Sequence, residues 1–167
     1  MAKKDIKAKK GFTIIEVVLV LAIAGLIFLM VFVALPALQR SQRDTQRRND
    51  MSRFISQLSQ YQANNAGKVP NWNGDAWDEF IENYLRVQGD TFSDPSGTEY
   101  EVKSLKICES GTNGCPQQSS SDGAGSGWIR VYSNATCDGE SPKYSQGDTK
   151  IAITYKLEGA GIYCGHN

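Results

Sequence analysis

Histidine is almost missing from the 167-residue chain, because its one histidine, His166, is the second-last residue. The chain also contains no Gly-x-Ser-x-Gly elbow, no phosphate-binding loop and no dinucleotide fingerprint. A nucleophilic site that depends on a histidine base is therefore not expected. Paired carboxylates such as Asp78 and Glu79 look like ordinary surface residues. The sequence thus predicts no catalytic residue, no cofactor and no enzyme activity.

Metal-binding patterns are weak as well. The cysteines show no Cys-x-x-Cys spacing, which argues against zinc. A glycine-rich stretch holds three acidic residues that could bind calcium, but the EF-hand pattern is absent. These residues are Asp138, Glu140 and Asp148. The sequence therefore predicts no metal site.

Charge is missing from one long stretch, because no charged residue lies between Val17 and Leu35. That length is at the threshold for a membrane-spanning helix. A leader with five lysines precedes it, which places the N-terminus in the cytoplasm by the positive-inside rule. Without the leader the chain is mildly acidic, so a general nucleic-acid footprint is absent. Glu16 is the anomaly, since an acidic residue in an apolar span costs about 2.5–3.5 kcal/mol at its centre and less near an interface.

The segment around that glutamate resembles a known family motif. Residues 10–17 read Lys-Gly-Phe-Thr-Ile-Ile-Glu-Val and are similar to the cleavage and assembly motif of type IV pilins and their pseudopilin relatives. The resemblance implies that a prepilin peptidase cuts between Gly11 and Phe12 and that the new Phe12 amine is methylated. It also implies that Glu16 pairs with the N-terminal amine of a neighbouring subunit in a helical filament.

Three other readings of the N-terminus compete with this one. A secretory signal peptide could end at Ala22-Ile23-Ala24, but Glu16 would interrupt its apolar region and the apolar sequence continues beyond that site. A plain membrane anchor would leave Glu16 without a role. A buried helix of a soluble protein would need a polar face, which the run does not have.

The apolar run continues into a second, amphipathic helical half. An apolar stripe recurs at helical spacing from Met51 to Tyr61, and Gly67 with Pro70 marks the end. We therefore expect a helix from Thr13 to Ala66. The resemblance implies that the helix can kink or melt between Gly25 and Pro36, although Pro36 lies about one turn later than the usual pilin proline. The arginines of this half are expected to form a solvated or intersubunit face, and contacts with lipid head groups before assembly or with nucleic acid are the alternatives: Arg40, Arg43, Arg47, Arg48 and Arg53.

The C-terminal part is expected to form a small head with a short helix and several strands. A short second helix is expected after Asp75, followed by an exposed Ser/Gly-rich loop at Gln117–Gly127. The strand candidates are Tyr100–Ile107, Trp128–Tyr132, Lys150–Leu157 and Gly161–Cys164. The predicted fold class is α+β, with a long N-terminal helix packed on an antiparallel sheet of three or four strands, which is also the fold that the resemblance implies.

All four cysteines lie in that C-terminal part, and an even number of exported cysteines favours disulfides. Four cysteines allow three connectivities, and the sequence does not choose among them. The preferred pairing joins Cys108 to Cys115 across a turn-rich segment and Cys137 to Cys164, which ties down the last strands.

The chain is thus expected to divide into four parts: a cleaved leader (1–11), a transmembrane assembly half of the helix (12–38), its amphipathic half (39–66) and a disulfide-containing head (67–167). The function that the resemblance implies is a major or abundant pilin, a structural subunit for adhesion, motility or DNA uptake. Its expected partners are copies of itself, the prepilin peptidase, the membrane before assembly and the assembly platform of the pilus machinery. The expected location is the cytoplasmic membrane and then an extracellular filament. The alternatives are a pseudopilin of a type II secretion or competence system, and a membrane-anchored enzyme or binding domain.

Overall fold

The computed structural model describes residues 11–72, 75–110, 115–116, 123, 125–147, 149–159 and 161–167. The side chains of residues 88 and 104–106 are outside this description. The leader residues 1–10 and most of the expected loop Gln117–Gly127 also lie outside the described residues. The chain forms two compact units, Met1–Gln39 and Arg40–Asn167.

The long N-terminal helix is present as α1, Ile14–Asn64, close to the predicted bounds. Its C-terminal end has the expected chemistry. Ala66 and Gly67 adopt positive φ angles of 53° and 81°, and the Gly67 N–H donates to the Gln62 carbonyl over 2.8 Å. A left-handed residue after the last turn satisfies a free carbonyl and stops the helix, which is what glycine does at this position.

The expected second helix is present in two pieces. Helix α2 spans Ala76–Phe80, and a π-helical turn spans Ile81–Leu85. A 3₁₀ turn spans Val87–Gly89. The buried residues Trp77, Phe80, Ile81 and Leu85 lie on the face that the apolar pattern predicts.

The main sheet has four strands in the order β1-β2-β5-β6. They are β1 Glu101–Ile107, β2 Trp128–Ser133, β5 Ile151–Lys156 and β6 Ile162–His166, so all four strand candidates are confirmed. Strands β2, β5 and β6 pair antiparallel. Strands β1 and β2 pair parallel, which makes the sheet mixed where the expectation was purely antiparallel. Parallel neighbours need a connection of about a dozen residues or more, and residues 108–127 provide one.

A second sheet was not predicted. It is a two-stranded antiparallel hairpin of β3, Ala135–Asp138, and β4, Ser141–Tyr144. The strands have four residues each and turn at Gly139, which has a φ of 63°. Pro142 lies within β4, and proline argues against a strand unless the strand is at an edge. The short length and the proline explain why the sequence pattern did not reveal this hairpin.

The head has two apolar clusters on opposite faces of the sheet. Alternating residues of β2 and β5 face the larger cluster, where Met51, Phe54 and Leu58 of α1 are fully buried. The other residues of these strands, including Tyr132 and Ala152, face a smaller cluster that contains the cysteines. Strand side chains alternate between faces, so one sheet separates the helix-packed core from a disulfide-rich second core.

Candidate functional site

The leader junction lies at the start of α1. Gly11 and Phe12 precede the helix and are exposed, and the Phe12 side chain is 87% accessible. Helix α1 begins two residues after Phe12, at Ile14. The peptide bond between Gly11 and Phe12 therefore lies in accessible, non-helical backbone. A peptidase needs a substrate bond of this kind.

Thr13 and Glu16 form a capping box at this helix start. The Thr13 N–H and its hydroxyl each donate to Glu16 Oε2 over 2.9 Å. In return, the Glu16 N–H donates to the Thr13 hydroxyl over 3.4 Å. A threonine cap and a glutamate three residues later satisfy each other's free N–H groups in this way. The sequence analysis missed this role, although Thr-x-x-Glu before an apolar run is its recognised signature.

The capping box leaves part of the carboxylate available. Both hydrogen bonds from Thr13 end on Oε2 of Glu16, and Oε1 accepts none from the described residues. Among those residues Glu16 also forms no ion pair. The group is thus an oriented carboxylate with one oxygen open to a cation.

Among the described residues, one helix, α1, is long and apolar enough to cross a membrane by its length and composition. The mean hydropathy of its most apolar window is 3.2. Its large side chains are exposed, from Ile14 to Leu38. Gly25 and Pro36 both lie inside α1 without a break in the helix. The opening between them that the resemblance implies concerns the assembled protein and stays a prediction.

The amphipathic half of α1 contains a buried arginine. Arg47 is fully buried, and its guanidinium forms a bidentate pair with Asp94, with Nε to Oδ2 at 2.6 Å and the second terminal nitrogen to Oδ1 at 2.9 Å. It also donates to Asp44 over 2.9 Å and to Glu158 over 2.8 Å. Bidentate arginine–carboxylate pairs combine charge with fixed geometry. Arg47 thereby joins α1 to the turn at Asp94 and to the turn after β5.

Further donors complete this cluster. Asp94 accepts hydrogen bonds from the Tyr155 hydroxyl at 2.7 Å and from the Ser96 N–H at 2.8 Å and hydroxyl at 2.6 Å. Asp44 accepts from the backbone N–H groups of Glu158 and Gly159. Arg43 binds Glu158 through two nitrogens, at 3.0 and 2.6 Å. We call the following set the arginine network: Arg43, Asp44, Arg47, Asp94, Ser96, Tyr155 and Glu158.

The arginine network shifts the pKa values of Asp94, Glu158 and Tyr155. Burial alone would raise the pKa of Asp94, but the hydrogen bonds to it, led by that from Arg47, hold the pKa well below its ordinary value. The hydrogen bond from Arg43 is the largest effect on Glu158, and the pKa of Glu158 falls to about 2. Burial raises the pKa of Tyr155, and its bond to Asp94 raises it further. At neutral pH the carboxylates of Asp94 and Glu158 are therefore ionised and the phenol of Tyr155 is protonated.

A second polar contact lies beside the network. The Tyr100 hydroxyl donates to Asp50 on α1 over 3.0 Å. Burial raises the pKa of Asp50, and the bond from Tyr100 partly opposes that rise. This hydrogen bond ties Tyr100, the residue before β1, to α1 through a half-buried carboxylate that has lost part of its hydration.

The expectation for Arg47 was wrong. It was placed with its neighbours on a solvated or intersubunit face, whereas it is the most buried arginine of the helix and belongs to the fold. Its partners lie 47 and 111 residues away in the sequence. Helical spacing was the signal that could have found it, because Arg47 lies four and seven residues before Met51 and Phe54 and continues their buried stripe, whereas Arg48 is exposed.

Both disulfides join the preferred partners. Cys108 is bonded to Cys115, with both residues buried, and we call this the buried disulfide. Cys137 is bonded to Cys164, with both residues half-buried, and we call this the edge disulfide because β6 is an edge strand. No cysteine is free, which removes the zinc alternative.

The calcium candidates do not come together in the described part of the chain. Asp138 and Glu140 are exposed, and Asp138 pairs with Lys143 at 3.2 Å. Asp148 lies outside the described residues. Within the described ranges no group of three potential metal ligands is found.

The comparison with protein families identifies the N-terminal segment. Residues 6–32 match a family model described as the prokaryotic N-terminal methylation motif. The comparisons with curated proteins and with solved structures found no match.

This match assigns a class of protein. The chain carries a class III leader of the type IV pilin kind, and the motif implies processing by a prepilin peptidase. Together with the α+β fold, the motif supports a type IV pilin-like or pseudopilin-like protein. An apolar N-terminal helix after such a leader fits a membrane-anchored precursor.

Proposed function

We propose that the protein is a major or abundant pilin, a structural subunit of a type IV pilus. The precursor is held in the cytoplasmic membrane by the apolar half of α1. A prepilin peptidase removes residues 1–11 and the Phe12 amine is methylated. The assembly platform of the pilus machinery then moves the subunit into an extracellular homopolymeric filament, without a nucleic-acid partner, a cofactor or a metal.

The observation that carries this proposal is the oriented carboxylate of Glu16 beside the leader junction. Cleavage at Gly11 creates a terminal amine on Phe12, which has an ordinary pKa of about 7.7–8.0 and is mostly charged at neutral pH. A cation at a helix N-terminus is unfavourable, since the helix dipole is positive there. An ion pair between this amine and the open Oε1 of Glu16 on a neighbouring subunit would offset the unfavourable position of the amine. The same pair would compensate the charge of Glu16 within an apolar bundle.

The exposed apolar surface of α1 supports assembly as the second step. Its large side chains are exposed between Ile14 and Leu38, which is tolerable in a bilayer and not in water. A subunit that leaves the bilayer therefore needs other apolar helices around this segment. Packing against copies of itself meets that need, and the amine–carboxylate pair would set the register between them.

Maturation is the first test. We expect mass spectrometry of the native protein to show a chain that starts at Phe12 and carries one methyl group on its amine. A chain that starts at Met1, or one that starts after Ala24, would contradict the proposal.

The capping box permits a sharp test of the charge of Glu16. Glutamine also serves at the third position of a capping box, so Glu16→Gln keeps the helix start and removes the charge. We expect processed Glu16→Gln subunits to reach the membrane in normal amounts and to form few filaments. Thr13→Ser is the matched control, because it keeps the capping hydroxyl and should form filaments normally.

Three outcomes separate the readings. Abundant filaments of Glu16→Gln subunits expressed alone would refute the pairing of Glu16 with the amine. Correct maturation of the wild-type chain without long surface filaments would favour a pseudopilin. An activity that survives in a fragment without residues 1–38 would favour a membrane-anchored enzyme or binding domain.

A further inference from the structure

One tripeptide of the head has the pattern of a sugar acceptor. Among all the asparagines of the chain, Asn134 alone is followed two positions later by a serine or threonine, which is Thr136, with Ala135 between them. Asn-x-Ser/Thr with a middle residue other than proline is the acceptor pattern for N-linked glycans, and it is used on surface turns of exported proteins. The pattern is short, so its place in the fold decides whether it can be used.

The tripeptide lies at the turn from β2 into β3. Asn134 is the single residue between these two strands, and its φ is 54°. A positive φ is uncommon for residues other than glycine, and asparagine is enriched among those that adopt it. Asn134 and Thr136 are partly exposed, whereas Ala135 is fully buried in the second core. The middle residue thus anchors the turn, and both residues that define the pattern remain accessible.

Backbone hydrogen bonds hold this turn in place. The Ser145 N–H donates to the Asn134 carbonyl over 2.8 Å. The Ala135 N–H donates to the Lys150 carbonyl over 3.3 Å. No hydrogen bond joins the side-chain amide of Asn134 or the hydroxyl of Thr136 to another described residue. A sugar on the Asn134 amide would therefore replace no side-chain hydrogen bond of the described fold.

The turn lies at the end of the head where α1 ends. Lys150, which accepts from Ala135, directly follows Thr149. The Thr149 carbonyl in turn accepts from the Gln62 amide, in the last turns of α1. Gln62 lies about 33 Å along the helix from Arg40, at 1.5 Å per residue. A bulky group on the turn would therefore leave the beginning of the head, at Arg40, uncovered.

We propose that Asn134 carries an N-linked glycan in the mature protein. The proposal goes beyond the proposed function, because it needs an exported head but neither a filament nor the pairing of Glu16. The sequence pattern supplies the acceptor amide and the hydroxyl two residues later. The fold supplies their accessibility, on a turn whose backbone is fixed without them.

The transfer joins a sugar to the side-chain nitrogen of Asn134. A bond forms between this nitrogen and the anomeric carbon of the sugar, and the bond from that carbon to a phosphate oxygen of the donor breaks. The donor is a sugar carried on a diphosphate, and the diphosphate carrier leaves with the electron pair of the broken bond. The amide nitrogen gives up one proton to the solvent, so nothing is oxidised or reduced.

The first test is mass spectrometry of peptides from the protein isolated from its own cells, with fragmentation that keeps sugars attached. We expect the peptide that contains Asn134 to be heavier by one or more sugar residues, with the added mass on Asn134 itself. A peptide with unmodified Asn134, or a sugar found only on another residue, would overturn the proposal.

Variants of the full-length chain test the pattern. Thr136→Val keeps the shape of the side chain and removes its hydroxyl, so we expect the sugar to be lost. Thr136→Ser is the matched control, because it keeps the hydroxyl and should keep the sugar. Asn134→Asp should also lose the sugar, and aspartate tolerates a positive φ. A sugar that persists on Asn134 in Thr136→Val would contradict the acceptor pattern.

The edge disulfide reports on the fold of these variants, because Cys137 directly follows Thr136. We expect non-reducing peptide maps to show the Cys137–Cys164 bond in all three variants, so that loss of the sugar reflects loss of the acceptor. If a variant lacks this bond, the wild-type peptide alone decides, since it locates the sugar without any substitution.

A pulse-chase experiment identifies the carrier. A sugar that appears only after the chain has crossed the membrane assigns a lipid carrier, and a sugar on chains still in the cytoplasm assigns a nucleotide carrier; both uphold the site. The outcomes also separate this proposal from the proposed function. Glycosylated Asn134 without long surface filaments would support the glycan and count against a major pilin, whereas filaments with unmodified Asn134 would do the reverse.

Discussion

Replacement of Arg47 by methionine tests the arginine network most directly. Methionine has a similar length and no charge, so Arg47→Met removes the cation and fills much of the same space. Asp94, whose side chain is fully buried, then keeps only the neutral donors of Ser96 and Tyr155. Asp44 and Glu158 lose one donor each but remain partly in water.

The structure sets the size of the effect. Removal of one partner of a buried ion pair costs about 3–5 kcal/mol, because the other charge stays buried without compensation. Protonation of Asp94 limits this cost, because the buried side chain can become neutral instead of staying charged. Protonating a carboxyl group of ordinary pKa 3.8 at neutral pH costs about 4 kcal/mol. We therefore expect Arg47→Met to lower the free energy of unfolding by about 4 kcal/mol at neutral pH, a large part of a typical 5–15 kcal/mol.

The assay is urea unfolding of the full-length chain in detergent micelles, with the disulfides oxidised. Arg48→Met is the matched control, because Arg48 is exposed one residue away, and it should change the free energy by less than about 0.5 kcal/mol. Arg47→Met/Asp94→Asn should cost less than the sum of the single variants, because the buried charge is then gone. A cost below about 1 kcal/mol for Arg47→Met, or strict additivity in the double variant, would refute this account of the network.

Three further predictions concern the same head. Glu158 and Asp94 have lowered pKa values only in the folded state, so the unfolded chain binds more protons in acid. Their contribution to the free energy of unfolding should be full above pH 4.5 and fall as the pH drops toward about 2. Glu158→Gln should flatten this decline in acid-unfolding curves. Tyr100→Phe should lower the free energy of unfolding by about 1–3 kcal/mol in urea titrations, because the half-buried Asp50 loses its hydrogen-bond donor, whereas Tyr163→Phe, with its exposed hydroxyl contact, should have little effect. Mild reductant should open the edge disulfide before the buried disulfide, since its sulfurs belong to half-buried residues; alkylation and peptide mapping that find the buried disulfide opened first would contradict this order.

Sequence patterns predicted most of the secondary structure, because the periodicity is strong and local. The stripe from Met51 to Tyr61 and the alternation of Ile151, Ile153 and Tyr155 each reflect one buried face, so the helix and the central strand were identified closely. The hairpin of β3 and β4 was missed because four-residue strands carry too little pattern to detect. The parallel pairing of β1 with β2 was missed because strand composition does not reveal the direction of a neighbouring strand.

The sequence alone identified the N-terminal methylation motif and the apolar half of α1, because both are patterns of residues close together in the chain. The capping box of Thr13 and Glu16 is equally local, since it joins positions three apart, although it was not predicted. Only the tertiary structure decided that a charged Arg47 could occupy the buried stripe of α1. Its burial depends on Asp94 and Glu158, which approach the helix only after the chain has folded back on it. Without such partners, the desolvation of a buried charge is not compensated.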